Sequence, residues 1–304
     1  MITLNSHQNP PLFSSSSSPL PNNRRLIAFT TPENYAGRLS RLIRLKDWDP
    51  LWCPTLAVGP TPQTISSVQQ YLLPPDPPLC GFSALAFTSR TGITAFDEAL
   101  AAVPAPPLPS GGGIFTVSAL GKDSELLDES FAARLCGNPA RIRVLVPPVA
   151  TPDGMVEALR WGLGRKVMCP VPLVAGLEEP PVVPRFLAGL RSRGWVPVRV
   201  DAYETRWCGA GCAAGLLEAA GPVDAVVFTS TGEVEGLLKG LEAAGSDWGA
   251  VRRMWPRMVA AAHGPVTAAG AERLGVGIDV VGGRFDSFEG VVDALERRWR
   301  SFDC

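Results

Sequence analysis

Short, nearly uninterrupted apolar runs recur along the chain, and each is followed by a stretch whose apolar residues return with helical spacing. Residues 225–228, 144–146 and 278–281 are runs of the first kind, β-branched or small and without polar alternation. Such runs predict strands buried on both faces, as in parallel sheets covered by helices. Between them, residues 154–161, 182–191, 233–243 and 266–274 read as helices. Strand and helix therefore alternate, which predicts an α/β doubly wound architecture.

The pattern is also written twice. A strand at 26–30, a helix at 38–45 and a strand at 51–58 recur as 166–174, 182–191 and 195–203. Ala84-Leu-Ala-Phe-Thr-Ser89 with a helix behind it is matched by Ala225-Val-Val-Phe-Thr-Ser230 with its own helix. Phe115-Thr-Val-Ser-Ala-Leu-Gly121 is answered by Val259-Ala-Ala-Ala-His-Gly264, and the strands at 143–146 and 278–281 close the two copies. Internal repetition decides architecture before residue chemistry does. Here it predicts two similar α/β halves, with a cleft between them.

Turn residues fall where the repeat needs boundaries. Gly59-Pro-Thr-Pro62, the prolines between 74 and 78, and the stretch from Pro104 to Gly113 read as loops. Each half fits one five-stranded sheet. The chain can pass between the sheets sequentially or by exchange, with natural crossing points at 59–62 and 203–207. Periodicity does not choose between these routes.

Composition narrows the class. A chain of 304 residues with 46% hydrophobic content is long for one domain and comfortable for two. A net charge of −1 with scattered Lys and Arg argues against nucleic acid or an anionic membrane as a partner. No apolar run of ~20 residues provides a membrane span. Seven cysteines in a large chain suit a reducing intracellular compartment, cytoplasm or plastid, better than a disulfide scaffold. Cys208 and Cys212 are the one close pair. With His7 and His263 the only histidines, no zinc set is completed, so no metal is expected. Residues 1–25 are rich in Ser and Pro, carry no acid and end in Arg24-Arg25, which reads as a disordered tail or a short transit segment outside the folded domains.

Candidate chemistry gathers at strand ends. Thr30-Thr31-Pro32, Thr88-Ser89-Arg90 and Thr229-Ser230-Thr231-Gly232 place hydroxyls where a strand gives way to a helix. Ligands of open α/β sheets bind outside the carboxyl ends of strands, where helix N-termini offer N–H groups to carboxylates or phosphates. Ser and Thr are equally the preferred helix caps, and both readings stand at this level. No Walker loop or dinucleotide fingerprint occurs in the right context, so no nucleotide cofactor is expected. No nucleophile elbow, zinc-protease helix or spaced acid pair occurs either. His263 before Gly264-Pro265 reads as a turn residue or a catalytic base. Tyr203, read as the end of a strand at the crossing, is either an ordinary strand-end aromatic or a phenol able to donate to a leaving group.

The ordered set Phe87-Thr-Ser89, Leu120-Gly-Lys-Asp-Ser124, Tyr203-Glu-Thr205, Phe228-Thr-Ser-Thr-Gly232 and Gly264-Pro-Val-Thr267-Ala-Ala-Gly270 resembles the uroporphyrinogen-III synthase family over about residues 26–296. The resemblance implies an α/β fold of two similar doubly wound parallel-sheet domains, joined by a two-stranded linker, with a central cleft. It favours exchange: residues 26–58 with 224–300 as one domain, 61–203 as the other, and 204–223 as the returning linker and helix. It implies a monomeric hydro-lyase that closes hydroxymethylbilane to uroporphyrinogen III with inversion of ring D. Water leaves, an azafulvene cation forms, and recombination passes through a spiro intermediate, without metal or organic cofactor. Positioning of a reactive polycarboxylate would supply much of that catalysis.

By similarity Tyr203 is the residue that assists departure of the hydroxyl. Thr88, Ser89, Ser124, Thr229, Thr231 and Thr267 match positions that line the cleft and meet substrate carboxylates. Arg90, Ser230 and Gly264, inside the same motifs, complete the expected binding set. The chain departs from the family in reading Arg90-Thr91 where a Pro-Arg order is common, and in placing Asp123 beside a site for an anion. A non-enzymatic protein holding a tetrapyrrole or another polyanion on the same scaffold is the alternative. A sensor like a periplasmic binding protein is a third reading, which no secretion signal supports.

Overall fold

The computed structural model describes residues 24–73, 78–284 and 287–301. The leader to residue 23 and residues 74–77 of the proline-rich loop lie outside the described residues. The two arginines that close the leader sit against the first sheet: Arg24 pairs with Asp49 at 3.9 Å, and the Arg25 guanidinium lies 4.4 Å from the Trp299 ring centroid.

The chain opens with β1 (Leu26–Phe29), α1 (Glu33–Arg44), β2 (Asp49–Trp52) and β3 (Leu56–Gly59). It continues through α2 (Pro62–Gln69), β4 (Ala84–Phe87), α3 (Arg90–Ala101), β5 (Phe115–Ala119), α4 (Glu129–Leu135), β6 (Ile142–Leu145) and α5 (Pro152–Leu159). Then come β7 (Lys166–Ala175), α6 (Val182–Ser192), β8 (Val196–Trp207) and α7 (Ala214–Leu217). The chain closes with β9 (Ala225–Phe228), α8 (Thr231–Ala243), α9 (Trp248–Met254), β10 (Val259–Ala262), α10 (Pro265–Arg273), β11 (Val280–Val281) and α11 (Glu289–Arg300).

These strands form two sheets, ordered β2-β1-β9-β10-β11 and β3-β8-β7-β4-β5-β6. Without β3, the two orders superimpose strand for strand on the repeat read from the sequence: β1 with β7, β2 with β8, β9 with β4, β10 with β5 and β11 with β6. All pairings are parallel except β3 with β8, which run antiparallel from Leu56 opposite Trp207 to Gly59 opposite Glu204. That pair carries the chain out of the first sheet and back.

The continuous apolar runs bury both faces, as parallel strands between helix layers must. In the first sheet Ile27, Phe29, Ala225 and Val227 face the layer of α1 and α11, while Ala28, Val226 and Phe228 face that of α7, α8, α9 and α10. In the second, Leu85 and Phe87 face α2, α3 and α4, and Ala84 and Ala86 face α5 and α6. Phe87, Phe96 and Phe131 form the aromatic centre of that core, with centroids 5.5 to 6.4 Å apart. Each such buried ring contributes about 1.5–3 kcal/mol relative to exposure.

Four expectations are corrected. Residues 51–58 are two strands in different sheets, because Pro54 offers no N–H and the buried Thr55 leaves the ladder, its hydroxyl donating to the Glu233 carbonyl at 3.0 Å. The second sheet consequently has six strands where five were expected. The strand at 278–281 contracts to Val280–Val281. The strand holding Tyr203 also runs on, to Trp207.

Beside the linker the layers of the two sheets are tied directly. The Trp207 indole donates to the Gly236 carbonyl at 3.0 Å, Lys239 donates to the Gly176 carbonyl at 2.8 Å, and the Glu178 amide donates to the Glu235 carboxylate at 3.1 and 3.2 Å. No described helix is long and apolar enough to cross a membrane.

Candidate functional site

Both sheets reverse direction of construction at equivalent places, between β1 and β9 and between β7 and β4. At such a switch point neighbouring connections leave on opposite faces and open a crevice at the strands' carboxyl ends. In the second sheet the crevice begins early. The β7–β4 ladder spans Ala84 opposite Val167 and Leu85 opposite Met168, after which β7 continues beside β8 alone. Pro170 and Pro172 suit that stretch, since neither has an N–H to give to a ladder.

Tyr203 reaches this crevice through a β-bulge. The register runs Val171 opposite Asp201 and then Pro172 opposite Tyr203, so Ala202 is the extra residue. Regular alternation puts Val198, Val200 and Ala202 on one face, and without the bulge Tyr203 would point to the other. The bulge returns it to the same face, where its ring joins the core with 6% exposure. Its hydroxyl lies 2.9 Å from Ser89 Oγ, which caps α3 by accepting from the Gly92 amide at 3.1 Å. Gly92 allows the approach: a Cβ there would stand 3.3 Å from the Pro170 carbonyl and 3.6 Å from the Tyr203 ring. Burial, the larger influence, pushes the phenol up to about 12, with Ser89 opposing and Tyr35 of α1 adding to it. At neutral pH Tyr203 is a proton-bearing donor whose hydroxyl feels a side chain from the first sheet's layer.

The other candidates of this half flank the pair. Thr88 and Ser89 are half-buried, and Arg90 is exposed with its guanidinium 3.6 Å from Asp123. Burial raises the Asp123 carboxyl above its ordinary value and Arg90 draws it back. The acid noted beside the anion site is thus matched by the base that the sequence displaced. Ser124, in a 3₁₀ turn at Gly121–Leu126, donates to the Gly121 carbonyl at 2.7 Å.

In the first sheet the switch point is a hydroxyl network around one carboxylate. Ser230 caps α8, its Oγ accepting from the Glu233 amide at 3.3 Å. The Glu233 side chain, 1% exposed, turns back beneath the turn. Its Oε2 accepts from the Thr229 amide and the Thr30 hydroxyl, each at 2.8 Å, and its Oε1 meets the hydroxyls of Thr229 and, at 3.3 Å, Ser230. Burial raises this carboxyl above its ordinary value against the pull of those hydrogen bonds. Thr267, 6% exposed, donates to the Thr229 carbonyl at 3.2 Å. Gly264 is the N-cap of α10, whose first turn begins with Pro265. Gly270 lets α10 meet Thr231, against whose hydroxyl and methyl a Cβ at 270 would collide. Thr31, fully buried, has no hydrogen-bond partner for its hydroxyl.

The structure therefore gathers the expected residues into two groups, Thr88, Ser89, Arg90, Ser124 and Tyr203 at one switch point and Thr229, Ser230, Thr231, Gly264 and Thr267 at the other. Sequence reasoning missed Glu233, although Ser230-x-x-Glu233 has the spacing of a capping box. His263, the candidate base, stacks edge-on to Phe288 with centroids 5.4 Å apart. Two cavities flank the linker. One, of about 310 Å³, is lined by residues including Glu33, Trp52, Thr61 and Arg206; the other, of about 80 Å³, includes Thr205, Gly232 and Glu178. Among the described residues no cluster of His, Cys, Asp and Glu is arranged to hold a metal ion.

A family model described as uroporphyrinogen-III synthase HemD matches residues 37–288. Among solved structures, the chain is similar to a mutant uroporphyrinogen III synthase of Thermus thermophilus, with 19% identity and a TM-score of 0.53 over 92% of this chain and 99% of that one. It is also similar to uroporphyrinogen-III synthetase of Helicobacter pylori, with 15% identity and a TM-score of 0.51 over 90% and 99%. At these identities the structural likenesses speak for the fold. No curated protein sequence matches.

Proposed function

The chain belongs to the uroporphyrinogen-III synthase family, enzymes of tetrapyrrole biosynthesis, and from that premise we propose how its two switch points divide the work on hydroxymethylbilane. The observation that carries the reading is the Tyr203–Ser89 pair, placed by a bulge at the carboxyl end of β4. A phenol kept neutral to about pH 12 donates a hydrogen bond to the substrate's terminal hydroxyl as the carbon–oxygen bond breaks. The hydroxyl departs as hydroxide held by that hydrogen bond and takes a proton from solvent to become water, and the pyrrole nitrogen shares the positive charge that remains on the substrate. Tyr203 is too weak an acid to give its proton up outright, so its contribution is a directed hydrogen bond on the departing oxygen.

The remaining residues position. The N-termini of α3, α8 and α10 start at the carboxyl ends of strands in the two halves and suit carboxylates by their partial positive charge. Thr88, Ser89, Arg90 and Ser124 would hold one end of the chain of pyrroles, and Thr229, Ser230, Thr231, Gly264 and Thr267 the other. Holding both ends brings the cationic terminal ring near the electron-rich pyrrole carbon that attacks it, which is the effective-concentration part of catalysis. The enzyme would act as a monomer, without nucleic acid or membrane, in a reducing compartment.

The test is direct. Purified protein is given fresh hydroxymethylbilane, the products are oxidised, and type I and type III isomers are separated by chromatography. Type III above the spontaneous background, lowered in Tyr203→Phe, is the expected result. Type I alone from folded protein would overturn the synthase assignment and leave a polyanion-binding protein.

A further inference from the structure

Glu233 poses a donor-counting problem whose solution links protons to ligand binding. Its Oε2 faces an obligatory donor, the Thr229 amide, together with the Thr30 hydroxyl, so this oxygen must remain an acceptor. Its Oε1 faces only hydroxyls, those of Thr229 and Ser230, and a hydroxyl can donate or accept. A proton on Glu233 therefore belongs on Oε1. With the carboxylate ionised, the Thr229 hydroxyl donates inward to Oε1. With Oε1 protonated, that bond reverses and the Thr229 proton is released to point elsewhere. Thr229 is half-buried at the carboxyl end of β9, one residue before the cap of α8, so part of it stays open at the strand end where the crevice lies.

We propose that Glu233 is a proton-linked positioning residue, whose neutral form turns the Thr229 hydroxyl toward the crevice as a donor to a ligand carboxylate, so that a bound polycarboxylate takes up one proton. The inference rests on reading the crevice as the site of a polycarboxylate. Electrostatics agrees. An ionised Glu233 beneath this turn would repel an anion, and burial already favours its neutral form.

Among the described residues no charged side chain bonds to the carboxyl. On α8 itself, Glu235 and Lys239 pair with each other at 3.1 Å and reach the loop after β7. Glu33 begins α1 after β1 and is exposed, and Cys53 follows β2 with its thiol held neutral by burial. His263 follows β10 and packs against Phe288, and Glu272 and Arg273 lie in the last turn of α10. The sheet elements around the carboxyl give it hydroxyls and an amide, which is why its own titration governs the turn.

The test uses the full chain and uroporphyrin III, a stable octacarboxylate, as probe. Calorimetric titrations at several pH values through the neutral and alkaline range, in buffers of different ionisation enthalpy, count protons taken up on binding, and dissociation constants are measured over the same range. The probe's own protons are common to every variant, so the differences carry the result. At pH values above the one where free Glu233 loses its proton, wild type is expected to take up as much as one proton more than Glu233→Gln, with an affinity falling up to tenfold per pH unit. Glu233→Gln fits the same donor pattern, with its amide NH₂ toward the hydroxyls, and should lose that excess slope. Thr229→Val, which removes the hydroxyl that reverses, should lose it as well and serves if the glutamine variant does not fold. Equal proton counts in wild type and a folded variant would overturn the proposal, and so would failure of wild type to bind the probe at any pH. Formation of the type III isomer by wild type, measured separately, judges the synthase assignment itself.

Discussion

Tyr203→Phe and Ser89→Ala remove opposite ends of one hydrogen bond, and the structure predicts that they fail in opposite ways. In Tyr203→Phe the ring keeps its place in the core. Ser89 Oγ still accepts from the Gly92 amide at 3.1 Å, so no polar group is orphaned. A neutral hydrogen bond of this kind is worth about 0.5–1.5 kcal/mol net, and loss of a buried hydroxyl offsets part of it, leaving a stability change of about 0–1 kcal/mol. Ser89→Ala removes the cap of α3, about 1 kcal/mol, and leaves the Tyr203 hydroxyl buried without its partner, about 1–3 kcal/mol more. It should therefore lose about 2–4 kcal/mol. For turnover the order inverts. Loss of a preorganised hydrogen-bond donor aimed at developing negative charge lowers rate by about 10²–10³-fold, whereas Ser89→Ala keeps the donor and should lose less. Urea unfolding gives the stabilities, and the initial rate of type III isomer formation gives turnover. Tyr203→Phe turning over within about fivefold of wild type, a difference near 1 kcal/mol, would reduce Tyr203 to a packing residue and refute the assignment.

Further outcomes follow from the same geometry. Gly270→Ala forces a methyl against Thr231 where α10 meets α8, so thermal unfolding should show a loss of about 1–3 kcal/mol, despite a helix-propensity gain of about 1 kcal/mol. An unchanged or raised melting temperature would refute the close approach. Glu233 has a folded value above its unfolded one, about 4.3, so its stabilising contribution is complete below pH ~4.3 and is lost as pH rises through the folded value. Wild type minus Glu233→Gln should thus fall in unfolding free energy across that window, and a flat or rising difference would contradict a buried, neutral-preferring carboxyl. Glu235→Ala with Lys239→Ala removes the side-chain ties from α8 to the loop after β7. Each exposed tie is worth at most about 1 kcal/mol, so stability should hardly change while small-angle scattering shows a larger radius of gyration. A radius equal to wild type would mean that the linker alone sets the spacing of the two sheets.

The chemistry at the two switch points was unevenly legible in the chain. Ser89 and Ser230 could be read because a cap is a local event: a hydroxyl, a turn and a helix within four residues. The double-sided apolar runs 84–87 and 225–228 likewise declare a buried parallel strand wherever they are placed. The aim of Tyr203 could not be read. It depends on an extra residue at Ala202 relative to a partner strand about thirty residues earlier, and one slip in register turns a side chain to the opposite face.

The sequence by itself determined that the protein is a repeated α/β fold, which strands are buried, and where hydroxyls meet helix starts, because these follow from periodicities and caps spanning a few residues. Only the tertiary structure decided that residues 51–58 divide between two sheets, that a bulge at Ala202 aims Tyr203 at Ser89, and that Glu233 lies wholly buried among the hydroxyls of Thr30, Thr229 and Ser230. Each of those facts depends on pairing between segments far apart in the chain. Burial and register at such meetings belong to the pair, and neither segment carries them alone.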